Sequence, residues 1–79
     1  MGAIVKVVTT DGGSKTAHLG PGGNLRNVHF PNSGLTNLRG LDLHGADLRD
    51  ANLAGVDLRG ANLNDALYNS QDLARAILK

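Results

Sequence analysis

The residue that sets the fold of this chain is a leucine that returns at every fifth position. The stretch A-D-L-R-D-A-N-L-A-G, residues 46–55, shows this period twice. A helix turns by about 100° per residue, so side chains five residues apart would share no face of it. In a straight strand the side chains alternate, so an odd period would send successive leucines to opposite sides of a sheet. The chain must therefore bend once in every five-residue unit.

Each unit has two positions that we expect to face inward. One is the leucine position, and the other lies two residues before it and usually holds a smaller apolar residue. A short polar residue, mostly Asp or Asn, stands between them. If each bend is about a right angle, four units close one coil, and coils stack at about the 4.8 Å spacing of strands. The leucine series comprises Leu38, Leu43, Leu48, Leu53, Leu58, Leu63, Tyr68, Leu73 and Leu78.

The units A-D-L-R-D, A-N-L-A-G, V-D-L-R-G and A-N-L-N-D resemble the A-(D/N)-L-x-x pattern of the pentapeptide-repeat proteins. The resemblance is strong from residue 36 to about residue 66 and weak over 67–79. It implies an all-β fold, a right-handed quadrilateral β-helix, which here would have about two to three coils. A fold of this kind does not by itself say what its surface binds.

The residues before the repeats predict a β-hairpin. The stretches A-I-V-K-V-V-T-T and S-K-T-A-H-L flank D-G-G, a turn rich in residues that tolerate positive φ. The following G-P-G-G-N lacks the G-K-[ST] of a phosphate-binding loop. We therefore assign residues 1–24 to an N-terminal β-hairpin cap with a glycine-rich linker.

The β-helix is assigned to residues 25–79 and is expected to be regular from residue 36. Val28 and Ser33 continue the leucine register imperfectly, whereas Phe30 and Leu35 fall off it. An irregular first coil is therefore expected before the regular repeats.

Residues 67–79 allow two interpretations. Asn69 or Ser70 could cap a short helix over Q-D-L-A-R-A-I-L-K, with Asp72 in its first turn and Lys79 in its last. Alternatively, the β-coil continues through the last leucines. The apolar residues in this segment favour either a cap or an interface between two copies. The candidate dimer interface comprises Leu67, Tyr68, Leu73, Ile77 and Leu78.

Little in the sequence points to catalysis. The three histidines have no metal-ligand spacing and no cysteine partner. The aspartates of the repeats stand where a turn needs a short polar side chain, which explains them without acid–base chemistry. We expect a non-catalytic protein, with no cofactor and no metal site.

Charge and composition indicate the kind of partner. The net charge is +1 and aromatic residues make up 3% of the chain, so direct nucleic-acid binding is not expected. The apolar run near the N-terminus is too short for a signal peptide or a membrane span. The absence of cysteine is compatible with a reducing compartment. The expected location is cytoplasmic, without membrane contact.

Two groups of charged residues are candidates for binding a partner. A spacing of twenty places Arg39 and Arg59 in one basic column, with Lys79 next and Asp57 alongside. Neighbouring faces carry more aspartates than cations. The candidate partner-binding residues are Asp42, Asp47, Asp50, Asp65, Arg39 and Arg59.

The resemblance also suggests a function. Some pentapeptide-repeat proteins imitate duplex DNA and occupy enzymes such as gyrase, which implies a small inhibitor, phage-encoded for example, of gyrase, a restriction enzyme or a CRISPR complex. The known mimics look strongly acidic, whereas residues 36–79 hold six Asp against five Lys and Arg. The alternative is a structural spacer or self-assembly module without inhibitory activity.

Overall fold

The computed structural model describes residues 3–79, which begin with an antiparallel hairpin. Strand β1 spans Ala3–Thr9 and β2 spans Ser14–Leu19. A short strand β3, Val28–His29, pairs with the other edge of β1, so the sheet order is β2-β1-β3. The turn between β1 and β2 contains Gly12 at φ +91°, a conformation that suits glycine. The hairpin expected from the sequence is therefore present.

From residue 24 onwards the chain is a β-helix-like coil. Short extended pieces pair in parallel with pieces one turn later in the chain, and each pair is a single bridge rather than a long ladder. The separation is twenty residues for every bridge that starts at residue 37 or later, and 23 for the two before it. The bridges are Asn24–Asp47, His29–Asn52, Asn37–Asp57, Asp42–Asn62, Asp47–Leu67 and Asp57–Ile77.

The longer separation comes from three extra residues between Phe30 and Asn37. They bring Leu25 and Phe30 into the leucine series, where both side chains are fully buried. Val28 is also buried, but at the smaller inward position, and Ser33 is exposed. The expectation that Phe30 falls off the register is therefore wrong, whereas the irregular first coil is observed.

The core is a stack of aliphatic side chains along the coil. Leu43, Leu48 and Leu53 have no exposed surface, and Leu63, nearer the last layer, is partly buried. The smaller inward position contributes Ala46, Ala51 and Val56, all fully buried. Since leucine recurs at one inward position and a smaller residue at the other, successive layers place side chains of similar volume in the interior.

In the units between residues 24 and 64, all but one of the central polar residues close the turn that follows them. The Oδ1 atom of each accepts the backbone N–H of the residue two positions later, at 3.0 to 3.3 Å. Asp and Asn are the side chains that make this short turn bond. The residues that do so are Asn24, Asn37, Asp42, Asp47, Asn52, Asp57 and Asn62.

His29 is the exception, and its neighbour explains why. The residue two positions later is Pro31, which has no N–H for an Asp or Asn side chain to accept. The His29 ring instead contacts the next layer, with Nδ1 3.2 Å from Nδ2 of Asn52. The first coil thus departs from the repeat in its composition as well as in its length.

The hairpin covers one end of the coil. Val7, Ala17 and Leu19 are buried in the same core cluster as the leucines. The backbone N–H of Thr10 donates to the carbonyl oxygen of Asn27 at 2.7 Å, which ties β1 to the first coil. These contacts place the hairpin against the first coil, and its role as a cap stays a prediction.

The other end combines parts of both interpretations of residues 67–79. Helix α1 spans only Ser70–Leu73, and no side-chain bond from Asn69 caps it. The coil then resumes, since the N–H of Ile77 donates to the oxygen of Val56 at 2.7 Å. A helix over residues 71–79 is therefore wrong, as is an uninterrupted β-coil. Within residues 3–79, no helix has the length and apolar character needed to cross a membrane.

Candidate functional site

Two clusters of arginine and aspartate give the coil surface its most ordered charges. In the first, Arg59 holds Asp57 with two parallel hydrogen bonds, Nε to Oδ1 at 2.9 Å and an Nη2 to Oδ2 at 2.7 Å. Arg39, one layer earlier, places its Nε 3.9 Å from Oδ2. We call Arg39, Asp57 and Arg59 the Asp57 cluster. One carboxylate here lies between two cations.

The second cluster repeats this arrangement ten residues earlier in the chain. Arg49 holds Asp47 with bonds of 3.0 and 2.8 Å, and Arg26 of the previous layer places its Nε 4.0 Å from Oδ2. Arg26 also lies 3.8 Å from Asp50. We call Arg26, Asp47, Arg49 and Asp50 the Asp47 cluster. Its two cations face two carboxylates.

The sequence D-L-R accounts for both clusters. The turn bond to the N–H two residues on fixes the carboxylate, and the residue that supplies this N–H is the arginine itself. A planar guanidinium can then bind the same carboxylate through two nitrogens, the geometry that arginine prefers. An arginine of the layer before completes each cluster.

These contacts shift the acidity of both aspartates. The hydrogen bonds from Arg59 lower the pKa of Asp57 to about 2, helped by the backbone N–H of Arg59 and the charge of Arg39. The bonds from Arg49 lower the pKa of Asp47 to about 2 in the same way. Both carboxylates are therefore charged at any pH near neutrality.

A dependence of stability on acid follows from these values. Because the pKa of Asp47 and Asp57 falls from 3.8 to about 2 on folding, their stabilisation is complete above pH 3.8 and is lost as the pH falls through about 2. As far as these two carboxylates determine it, we expect the melting temperature of the protein to be constant from neutral pH to about pH 5 and to decrease below pH 4. Thermal unfolding followed by circular dichroism across this range measures it.

The control is the double variant Asp47→Asn, Asp57→Asn, which keeps the turn acceptor but removes both charges. Its melting temperature should change less with acid than that of the wild-type protein. An identical acid dependence in both proteins would contradict the role of the two clusters.

The structure distributes the predicted partner-binding residues over three places. Arg39 and Arg59 lie in the Asp57 cluster, and Asp47 and Asp50 in the Asp47 cluster. Asp65 lies apart from both, 3.7 Å from Nε2 of His44.

Asp42, the sixth predicted residue, accepts the backbone N–H of His44. Sequence reasoning did not select Arg26 and Arg49. The tripeptide D-L-R points to Arg49, whereas Arg26 lies 23 residues before Arg49 and is not found by a spacing of twenty. Asn69, also missed, donates from Nδ2 to Asp50 at 2.7 Å.

The last layer presents the candidate dimer interface. Four of its side chains are large, apolar and between 41% and 49% exposed: Leu67, Tyr68, Ile77 and Leu78. The fifth residue, Leu73, is half-buried against the core. In the earlier layers, the positions equivalent to Leu67 and Ile77 hold Asp47 and Asp57. The surface thus becomes apolar where the stack ends.

Comparison with known proteins identifies the repeat. A family model described as "Pentapeptide repeats (8 copies)" matches residues 36–65. Neither a curated protein nor a solved structure matches the chain. The matched segment is the part in which the turn bonds, the leucine stack and the twenty-residue bridges are regular. Residues 36–65 of the chain are therefore pentapeptide repeats.

Proposed function

We propose that this protein is a non-catalytic binding module that occupies a surface of another protein. Pentapeptide-repeat proteins are typically interaction modules of this kind. The observation that carries the proposal is the fixed geometry of the Asp47 and Asp57 clusters. Their carboxylates are held by turn bonds and by two-point arginine contacts, so a partner meets charges that are already in place. Preorganised groups lose less entropy when they bind.

The finer proposal is that the partner belongs to nucleic-acid machinery, with the protein acting as a small inhibitor of an enzyme such as gyrase, a restriction enzyme or a CRISPR complex. The support is the family resemblance together with the acidic residues outside the clusters. Asp42 and Asp65 have no arginine or lysine within ion-pair distance in residues 3–79. They would be the groups most available to a cationic surface.

Affinity capture from a bacterial lysate, followed by mass spectrometry, tests this function. We expect a DNA-processing enzyme or complex to be retained and the double variant Asp42→Asn, Asp65→Asn to retain less of it. The matched control is Asp11→Asn in the hairpin, a carboxylate far along the chain from both. Capture of structural proteins only, or no specific capture, would favour the spacer or assembly module.

We also propose that the protein forms a dimer through its last layer. The hairpin covers the first layer, whereas the last layer within residues 3–79 has a strand edge without a partner and exposed apolar side chains. A second copy placed on that end would bury both, and a contact between like ends closes after two chains. Each leucine-sized side chain that becomes fully buried contributes roughly 1.5 to 3 kcal/mol.

Light scattering measures the dimer directly. The wild-type protein should have twice the chain mass at micromolar concentration, and the variant Ile77→Lys, Leu78→Lys should have the mass of one chain. Ile4→Lys is the matched control, because Ile4 is 72% exposed but lies on the hairpin. A wild-type protein that stays monomeric would rule the dimer out.

The coil geometry and the location are part of the same proposal. Bridges twenty residues apart support four five-residue sides in each turn, and the family resemblance supports a right-handed coil of about two to three turns. A crystal structure would check the hand and the number of turns. The absence of cysteine supports a cytoplasmic location, which fractionation of the source cells would check.

A further inference from the structure

The two arginine–aspartate clusters differ in charge although they are built alike. Two arginines surround each central carboxylate, Asp47 or Asp57. In the Asp47 cluster the second carboxylate, Asp50, balances the charge. The Asp57 cluster has no second carboxylate within ion-pair distance in residues 3–79, so it keeps one positive charge in excess. Lys79 follows in the same register one layer later.

The excess charge lies on Arg39. Its side chain is 58% exposed, and its closest ionic contact is the 3.9 Å approach of Nε to Asp57. Within residues 3–79 its guanidinium donates no hydrogen bond, whereas Arg59 uses Nε and one terminal nitrogen on Asp57. The cluster therefore presents free N–H donors from two guanidinium groups that belong to consecutive layers, and such layers are spaced by about 4.8 Å.

We propose that the Asp57 cluster binds a carboxylate in an acidic segment of a partner protein. Arginine binds carboxylates through two parallel hydrogen bonds, and Arg39 has both nitrogens of such a pair available. Arg59, whose guanidinium is held in place by Asp57, adds a second hydrogen-bond donor in the neighbouring layer. The proposal rests on the protein-binding function above and names the chemistry that one face of the module accepts.

Neighbouring charges favour a peptide over a nucleic acid. The arginines of the Asp57 cluster form a single column with Asp57 within it, and the units on either side of residues 56–60 lack arginine and lysine. Asp42 lies in the unit that follows Arg39, and Asp65 lies in the unit that follows Arg59, and both would repel a phosphate backbone. Nucleic-acid binding draws its affinity from several phosphate contacts at once, which one column does not offer. A single carboxylate needs only the two guanidinium groups.

Binding of a fluorescein-labelled hexaglutamate peptide at low salt, followed by fluorescence anisotropy, tests the proposal. We expect Arg39→Gln to bind this peptide about tenfold more weakly than the wild-type protein, since the lost contact is charge-assisted. Arg26→Gln is the matched control, because Arg26 holds the equivalent place in the charge-balanced Asp47 cluster. It should bind the peptide like the wild-type protein.

Three results would overturn the proposal: no binding of hexaglutamate by the wild-type protein, equal weakening by Arg26→Gln and Arg39→Gln, or tighter binding of a labelled DNA duplex than of the peptide. Its failure can be told apart from failure of the proposed function. A specific partner whose capture survives Arg39→Gln would leave the protein-binding function standing and move the interface to another face.

Discussion

Replacement of Leu48 by Asp should abolish cooperative unfolding of the domain. Leu48 has no exposed surface and lies in the layer between the first coil and the last. The change removes a buried leucine that contributes roughly 1.5 to 3 kcal/mol, and it leaves a carboxylate in an apolar stack, which costs several kcal/mol more. Domains are stable by only about 5 to 15 kcal/mol, and small ones lie low in this range. Circular dichroism during heating measures the loss.

Ala54→Asp is the matched control for this experiment. Ala54 follows the buried Leu53 directly but is itself exposed, so the same new charge meets water. Its melting temperature should stay within a few degrees of the wild-type value, because exposed substitutions change stability by about 0.5 kcal/mol at most. A native melting temperature for Leu48→Asp would mean that the leucine series does not face inward.

Gly23→Ala should destabilise the protein by about 3 kcal/mol, near the upper end of the cost of overpacking. A Cβ on Gly23 would lie 2.0 Å from the backbone oxygen of His18 and 3.1 Å from its carbonyl carbon. A backbone atom cannot move aside as a side chain can. The hairpin or the first layer must therefore shift, although the oxygen of Gly23 also accepts the N–H of Asp47. Chemical unfolding monitored by circular dichroism gives the value.

The neighbouring glycine separates this contact from the effect of losing any glycine. Gly22 has a φ of +71° and nothing within 4 Å of its missing Cβ. Asparagine tolerates this conformation, as Asn27 does at a φ of +62°. Gly22→Asn should therefore cost less than about 1 kcal/mol. Equal destabilisation by both variants would show that the approach of Gly23 to His18 does not matter.

The fold was predictable from the sequence where the same residue type recurs at the same position of each five-residue unit. Leu38 to Leu58 are buried at five-residue steps because each unit bends in the same way. The register before residue 36 was not predictable, since three extra residues can be accommodated at any corner and the sequence does not say which. Phe30 illustrates this: its place becomes clear only from the bridge between His29 and Asn52.

Part of the candidate site was predictable from the spacing of twenty residues between layers, and part of it was not. A spacing of twenty brought Arg39 and Arg59 together with Asp57, as expected from the repeat. Arg26 lies 23 residues before Arg49, so a strict spacing could not find it. Whether charges balance depends on distances between layers, such as the 3.8 Å from Arg26 to Asp50. Such distances come only from three-dimensional coordinates.

During synthesis, the hairpin at the first layer can form first, and the later layers of the coil can then pack onto it. Hairpins form quickly from local contacts, and N-terminal parts of a chain generally fold first on the ribosome. Each bridge partner lies 20 or 23 residues earlier, in chain that has already emerged. None of these bridges therefore has to wait for a segment that is still to be made. Evolution could lengthen such a rod by whole turns without changing how it is assembled.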